Sequence, residues 1–248
     1  MADAFRPCFV VPVFNHGRTV AATIARLAPF DIPCVVIDDG SDAQCRAVLD
    51  GIAAAEPNVT LLRMERNCGK GAAVKRGLRH AAERGFSHAL QIDADGQHDP
   101  ADIERFLSTA RAHPDDFIIG AAQYGESAPG VRKAARYLTH VWVWINTLSF
   151  QIDDSMCGFR VYPLKSVIPL LDESRLGDRM EFDVEILVRA SWRGSRFINV
   201  PTRVEYPADG ISHFRMFRDN LLISRMHAKL FFGLLVRLPV LLWRRVHA

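Results

Sequence analysis

Short apolar runs alternate with helix-length amphipathic stretches over the first half of the chain. "CFVVPVF" (8–14), "PCVVID" (33–38), "NVTLLRM" (58–64), "SHALQID" (87–93) and "DFIIGA" (116–121) each predict a buried strand. Between them, "GRTVAATIARLA", "AQCRAVLDGIAAAE", "KGAAVKRGLRHAAERG" and "PADIERFLSTARAH" carry apolar residues at helical spacing. Gly85 suits the end of the third helix and Pro100 the first turn of the fourth. This βαβα rhythm predicts an α/β fold with a mostly parallel sheet covered by helices on both faces.

The rhythm changes after residue 125. "VRKAARYLTHVWVWINTLSF" (131–150) predicts a long aromatic-rich helix with a basic first turn, and "DDSMCGFRVYP" (153–163) a turn and strand. "RMEFDVEILVRASWRG" (179–194) predicts an amphipathic helix with three acids near its start, and "FINVPTRVEYP" a last strand. With no repeat and no clean linker, the expected plan is one catalytic body over 1–210 and a basic amphipathic helical tail over 211–248.

Polar clusters fall where the first four strands end: "FNH", "DDGSD" (38–42), "ERNCGKG" (65–71) and "DADGQHD" (93–99). In parallel sheets ligands bind beyond the carboxyl ends of the strands, so four such clusters predict one polar crevice. Asp93 and Asp95 crowd two carboxylates, a repulsion that a divalent cation offsets. Magnesium and manganese take oxygen ligands and usually share them with substrate phosphates, which fits a nucleotide diphosphate. Gln97 adds a neutral oxygen, Asp38 and Asp39 form a second acidic pair nearby, and Asp99 reads better as a helix cap.

Taken together, "VVPVFNHG", "VVIDDGSD", "RNCGKGAAVKRG" and "LQIDADGQHDP" resemble, in order and spacing, the inverting family-2 glycosyltransferases with a GT-A fold. The resemblance spans about residues 8 to 205 and is strongest to polyprenyl-phosphate sugar transferases of the dolichyl-phosphate mannose synthase type. The stretch "LTHVWVWINTLSFQIDDSMCGFRVYP" is also similar to small transferases of bacterial aryl-polyene lipid biosynthesis. The resemblance implies a UDP- or GDP-type sugar donor, a lipid or lipid-linked acceptor and a Mg2+ or Mn2+ ion. It implies that Pro12 and Asn15 shape the first loop and that Asp39, with Asp38 beside it, receives the base. Lys70 and Gly71 would line the nucleotide pocket. Asp93 would touch ribose or metal, and Asp95 and Gln97 the metal; apart from the resemblance, His213, after the last strand, is placed either to reach the metal or to serve as a surface or interfacial residue.

Two positions depart from the family pattern, and the second bears on the acceptor. His16 stands where the family usually has Glu, and "GAAQYG" (120–125) lacks an arginine that lipid-phosphate transferases often carry there. Arg132, Lys133 or Arg136 would then supply the positive charge, and Arg160 is a second candidate for binding phosphate. An ionised phosphate acceptor needs no base, whereas a hydroxyl acceptor does. Asp183 matches the family's acidic position, with Glu181 the runner-up; on a helix Glu181 and Glu185 share a face that Asp183 does not.

Composition adds one asymmetry. The formal charge is +3, yet residues 215–248 hold seven basic side chains against one acid, leaving the body mildly acidic. "HAKLFFGLLVRLPVLLWRRVHA" (227–248) is interrupted by Arg237 and Pro239, which disfavours a bilayer span of about 20 apolar residues. It suits an interfacial helix with Phe231, Phe232, Leu234, Leu235 and Trp243 in the acyl boundary. Peripheral attachment at the cytoplasmic face of the inner membrane follows, with no signal peptide, no nucleic-acid partner and a homodimer as an option for the tail. The five cysteines lack metal-ligand spacing and read as free thiols.

Two rival functions stand beside the transferase. "GKGAAV" (69–74) is a partial dinucleotide fingerprint, but Val74 replaces its third glycine. A non-catalytic membrane adaptor keeping the same fold is the other.

Overall fold

The computed structural model describes residues 4–124, 130–204 and 215–247. Strands β1 (Pro7–Val13), β2 (Cys34–Asp38), β3 (Val59–Arg63) and β4 (His88–Gln91) alternate with helices α1 (Gly17–Leu27), α2 (Ala43–Ala55) and α3 (Lys70–Glu83). Then follow α4 (Ile103–Ala112), β5 (Phe117–Tyr124), α5 (Gly130–Thr147), β6 (Arg160–Pro163), α6 (Leu164–Glu173), α7 (Phe182–Trp192), β7 (Phe197–Val204) and α8 (Met216–His247). The order in the sheet is β3-β2-β1-β4-β6-β5-β7. Only β6 runs against its neighbours, pairing antiparallel with β4 and β5, so the mostly parallel sheet is as expected.

Period-two alternation on the strands divides the core. Cys8 and Val10 of β1 face α3, α6 and α7, while Phe9, Val11 and Val13 face α1, α2 and α4. The central strands are buried on both faces, which explains their continuous apolar runs. Strand β3 differs from expectation: it alternates between half-buried and exposed because it closes one edge of the sheet. Local signals hold at the helix ends. Asp42 caps α2 by accepting from Cys45 N, Asp99 accepts from Ala101 N, and Gly85 takes a positive φ after α3.

Two helices depart from their sequence reading. Helix α7 is buried nearly all round rather than amphipathic, because its acidic residues sit inside as ion pairs. The tail forms one helix that runs through Pro239, and it packs on α5 and α7 through Met226, Leu230 and Leu234. Leu234 is therefore a core residue and not part of a lipid-facing surface, and Phe231 packs edge-on against Trp142. Phe232, Leu235 and Trp243 are exposed, as expected. By length and composition alone Phe217–Arg244 is long and apolar enough to cross a membrane, an 18-residue window within it reaching a mean hydropathy of 1.4. The expected division at residue 210 lies outside the described residues.

Helix α4 tests the packing. The fully buried Phe106 ring stacks on Phe159 at 4.0 Å between centroids. Replacing it with alanine removes both the transferred area and the stacking partner, so Phe106→Ala should lower stability by about 3–5 kcal/mol in urea denaturation, with an unchanged slope.

Candidate active site

The chain passes from β1 to β2 on one side of β1, then returns through β3 to place β4 on the other. Such a reversal opens a crevice between the carboxyl ends of β1 and β4, and the four polar clusters flank it. Asn15, which takes φ of 53°, a left-handed value that asparagine tolerates, accepts from Asp42 N at 2.8 Å. Its own N–H donates to Ser41 Oγ. These bonds tie the loop after β1 to the loop after β2, while Pro12 lies buried within β1 opposite Ile37.

The two carboxylates of "DDG" do different work. Asp38 is fully buried, accepts from Ser41 N at 2.8 Å and lies within 4 Å of the Arg46 and Arg63 guanidinium groups. It holds the turn between β2 and α2. Asp39 accepts from Cys68 N at 2.7 Å, Gly69 N at 2.8 Å and Asn67 Nδ2 at 3.1 Å, and so shapes the turn before α3. Burial pushes its carboxyl up despite those donors. A carboxylate accepts about four hydrogen bonds, and these donors take up three.

Lys70, at the start of α3, joins three elements. Its Nζ lies 2.8 Å from Asp93 Oδ2 and 2.9 Å from Asp183 Oδ2 on α7. Burial works against the ammonium, but Asp183 and Asp93 keep its pKa raised. Burial likewise pushes Asp93 up, yet Lys70 and then His98 hold it below the usual carboxylate range. Gln91 buttresses Asp93 from β4 and is itself held by the Tyr162 hydroxyl at 3.0 Å. A Cβ on Gly158 would fall 2.2 Å from Asp93 Oδ2, so glycine there makes room for the carboxylate.

Asp95 contrasts with Asp93. Its Oδ1 accepts from Gln97 N at 3.1 Å, but it has no ion-pair partner among the described residues. Burial first, and the Asp93 charge second, push its carboxyl up. A carboxylate strained in this way fits a hard, oxygen-seeking cation. Among the described residues no three His, Cys, Asp or Glu side chains converge as a complete cage.

Comparison with known proteins decides the family. Residues 8–167 match the profile described as Glycosyl transferase family 2. The chain belongs to the family 2 glycosyltransferases. An undecaprenyl-phosphate mannosyltransferase of Micrococcus luteus is 27% identical over 198 residues, covering 77% of this chain and 80% of its own. A dolichyl-phosphate beta-glucosyltransferase of Trichomonas vaginalis is 27% identical over 228 residues, covering 84% of this chain and 66% of its own. Among solved structures, glucosyl-3-phosphoglycerate synthase of Mycobacterium tuberculosis with Mn2+, UDP-glucose and phosphoglyceric acid superposes with a TM-score of 0.63. At 16% identity, over 94% of this chain and 80% of that one, it shows the shared GT-A fold.

Other expected site residues of this glycosyltransferase are placed as follows. Arg160 is fully buried on β6 and donates to the carbonyls of Cys157, Ser155 and Asp183 at 2.6–2.7 Å. With these three bonds made inside the protein, it braces the turn before β6 and the start of α7. Gly71 is buried against Phe182, where a Cβ would sit 2.4 Å from the Phe182 Cβ, so glycine permits α3 to meet α7. Glu181 is the residue before α7 and points toward Gly177, away from Lys70, whereas Asp183 joins Asp93 through that lysine. His213 and the Arg132 side chain lie outside the described residues. Arg136 pairs with Asp154, which also accepts from Ala122 N at the end of β5.

Three contributors escaped the sequence reading. His98 lies inside the quoted acidic stretch; its ring packs on Phe159 and its buried Nδ1 has no partner. Arg179 Nη1 donates to Asn67 Oδ1 at 3.3 Å, beside Asp39. Gln91 is a buried polar residue at the carboxyl end of β4, and that position was the available signal.

The Asp95 arrangement has a sign that can be checked. Its folded pKa is raised, so ionisation costs stability above that pKa and the cost is relieved as pH falls through it. In metal-free buffer at neutral pH, Asp95→Asn should melt at a higher temperature than the parent, and the difference should shrink on acidification. A lower melting temperature for the variant would contradict the placement.

Proposed function

We propose that this glycosyltransferase moves a sugar from a UDP- or GDP-type donor to a polyprenyl-phosphate acceptor in one inverting displacement. The convergence of Asp93, Lys70 and Asp183 beyond the parallel strands carries the reading. The names of the two relatives support the acceptor: one transfers mannose and the other glucose, yet both names keep a polyprenyl-type phosphate.

In this reading the turn held by Asp39 and Asn67 receives the nucleoside, and Lys70 adds positive charge beside the diphosphate. Asp95, with Asp93 and Gln97, would hold a Mg2+ or Mn2+ ion, which neutralises the leaving diphosphate. Arg136, oriented by Asp154 at the end of β5, is the described cation best placed to meet an acceptor phosphate. Such an acceptor arrives ionised. Asp183 lies between Lys70 and Arg160, 3.8 Å from the latter, which suits it to holding Lys70 rather than to receiving a proton.

Peripheral docking at the cytoplasmic face of a membrane belongs to the same proposal. Tyr137, Leu138 and Phe150 from α5 and its following turn are exposed, as are Phe217, Phe232 and Trp243 of α8. The exposed Arg218 and Arg225 on α8 provide charge for anionic headgroups. The dinucleotide-oxidoreductase alternative finds no support in the site. The N–H of Ala72 in the first turn of α3 already donates to Asp178 O at 2.9 Å, which removes an amide that would cradle pyrophosphate.

Two experiments test the proposal. Thermal shift with UDP and GDP should show stabilisation that requires Mn2+ and disappears in Asp95→Ala, along with sugar transfer to undecaprenyl phosphate. Metal-independent stabilisation, or full transfer by the variant, would remove the ion from the mechanism. Asp183→Asn, assayed with the same acceptor, should retain transfer within about 10-fold, because no general base worth roughly 10²–10⁴ in rate is being removed. A loss of that larger size would identify a base and point to a hydroxyl acceptor.

A further inference from the structure

We infer that Glu185 and Lys229 are positioning residues for the donor pocket, through which α8 holds the 175–179 segment against the nucleotide-binding turn. The inference rests on the donor site proposed above. Glu185, 2% exposed on α7, accepts from Gly177 N at 2.8 Å, from Arg189 Nε at 2.9 Å and from Lys229 Nζ at 3.2 Å. Lys229 also donates to Arg175 O at 2.9 Å. One ammonium of α8 and one carboxylate of α7 thus pin two points of the same short segment.

The next residues of that segment close on the donor turn. Asp178 O accepts from Ala72 N at 2.9 Å, and Arg179 reaches Asn67, whose amide holds Asp39 Oδ2. The fit has no slack: a Cβ on Gly69, whose φ is 111°, would lie 2.4 Å from Asp178 O. On the α3 side Lys75 Nζ donates to the carbonyls of Leu176 and Gly177 and to Asp178 Oδ1. Lys75 would hold the segment to α3 alone; Glu185 and Lys229 fix it relative to α7 and the tail. An apolar contact would have joined α8 to α7 at lower desolvation cost. A buried carboxylate is directional, and its direction here is the Gly177 N–H.

The contiguous path runs from α8 through Lys229, Glu185, Gly177 and Arg179 to Asn67 and Asp39. The tail therefore acts on donor binding as well as on attachment. The test uses the full chain and compares the parent with Lys229→Met, Lys229→Arg and Glu185→Gln. Donor affinity is read by calorimetry with UDP and GDP in Mn2+, and transfer by steady-state kinetics. Lys229→Met should raise the donor Kd and KM by roughly 3- to 30-fold with kcat preserved, and Lys229→Arg should restore most of it. Hydrogen exchange in Lys229→Met should rise at the Gly177 and Ala72 amides while the sheet stays protected, which separates segment loosening from global unfolding. Unchanged donor Kd and KM in both Lys229→Met and a folded Glu185→Gln would overturn the inference. A parent protein that binds no nucleotide would instead overturn the donor site itself, and this inference with it.

Discussion

One lysine placed between two carboxylates organises this molecule. Lys70 joins the loop after β4 to α7 across the first turn of α3, and each of the three groups is at least mostly withdrawn from water. Burying such charges is costly, and removing one partner of a buried pair costs about 3–5 kcal/mol because the other is left uncompensated. The arrangement is stable only as a set. Asp93 keeps its charge because Lys70 is there, and Lys70 keeps its own because Asp93 and Asp183 are there. Arg160 extends the alternation of sign beneath Asp183, and its three bonds to backbone carbonyls fix where the network begins.

Asp95 stands next to this balanced set without a cation of its own. The two carboxylates, two residues apart, thus differ in partnership: Asp93 is held by the Lys70 charge, and Asp95 has no ion-pair partner among the described residues. Such residual strain at a site is where sequence-level consistency gives way to chemistry. The burial of Asp95 beside the Asp93 charge is a cost the fold carries at neutral pH.

Helix α8 shows a second division of labour. Met226, Leu230 and Leu234 bury against the body, Arg237 lies over the Trp192 ring at 4.8 Å, and Arg244 donates to the Trp192 carbonyl. Its other face leaves Phe232, Val236 and Trp243 exposed. A helix fastened by basic side chains on one side and apolar on the other joins the catalytic body to whatever covers that surface. Arginines assigned to headgroups by composition alone are in part structural: those at 237 and 244 stack on or hydrogen-bond to Trp192.

Much of the fold was legible because its signals are local. Apolar runs of strand length, caps at Asp42 and Asp99, and the glycine after α3 depend on residues within a turn of each other, and the family motifs carried the order of the polar loops. Even the geometric distinction on α7 was legible, since Asp183 and Glu185 diverge by helical spacing and meet Lys70 and Lys229 respectively. Partnership was not. Asp38 and Asp39 look equivalent in sequence, yet one turns inward to Arg46 and Arg63 and the other toward the crevice turn. Arg160 looked available to a phosphate until β6 inserted between β4 and β5 and enclosed it. Residue identity and short-range periodicity determined which chemistry the chain holds and along which edge it gathers. Only the tertiary structure decided which charges neutralise one another and which stay open to substrate, because desolvation and Coulomb attraction depend on distances between segments as remote as residues 70, 93 and 183.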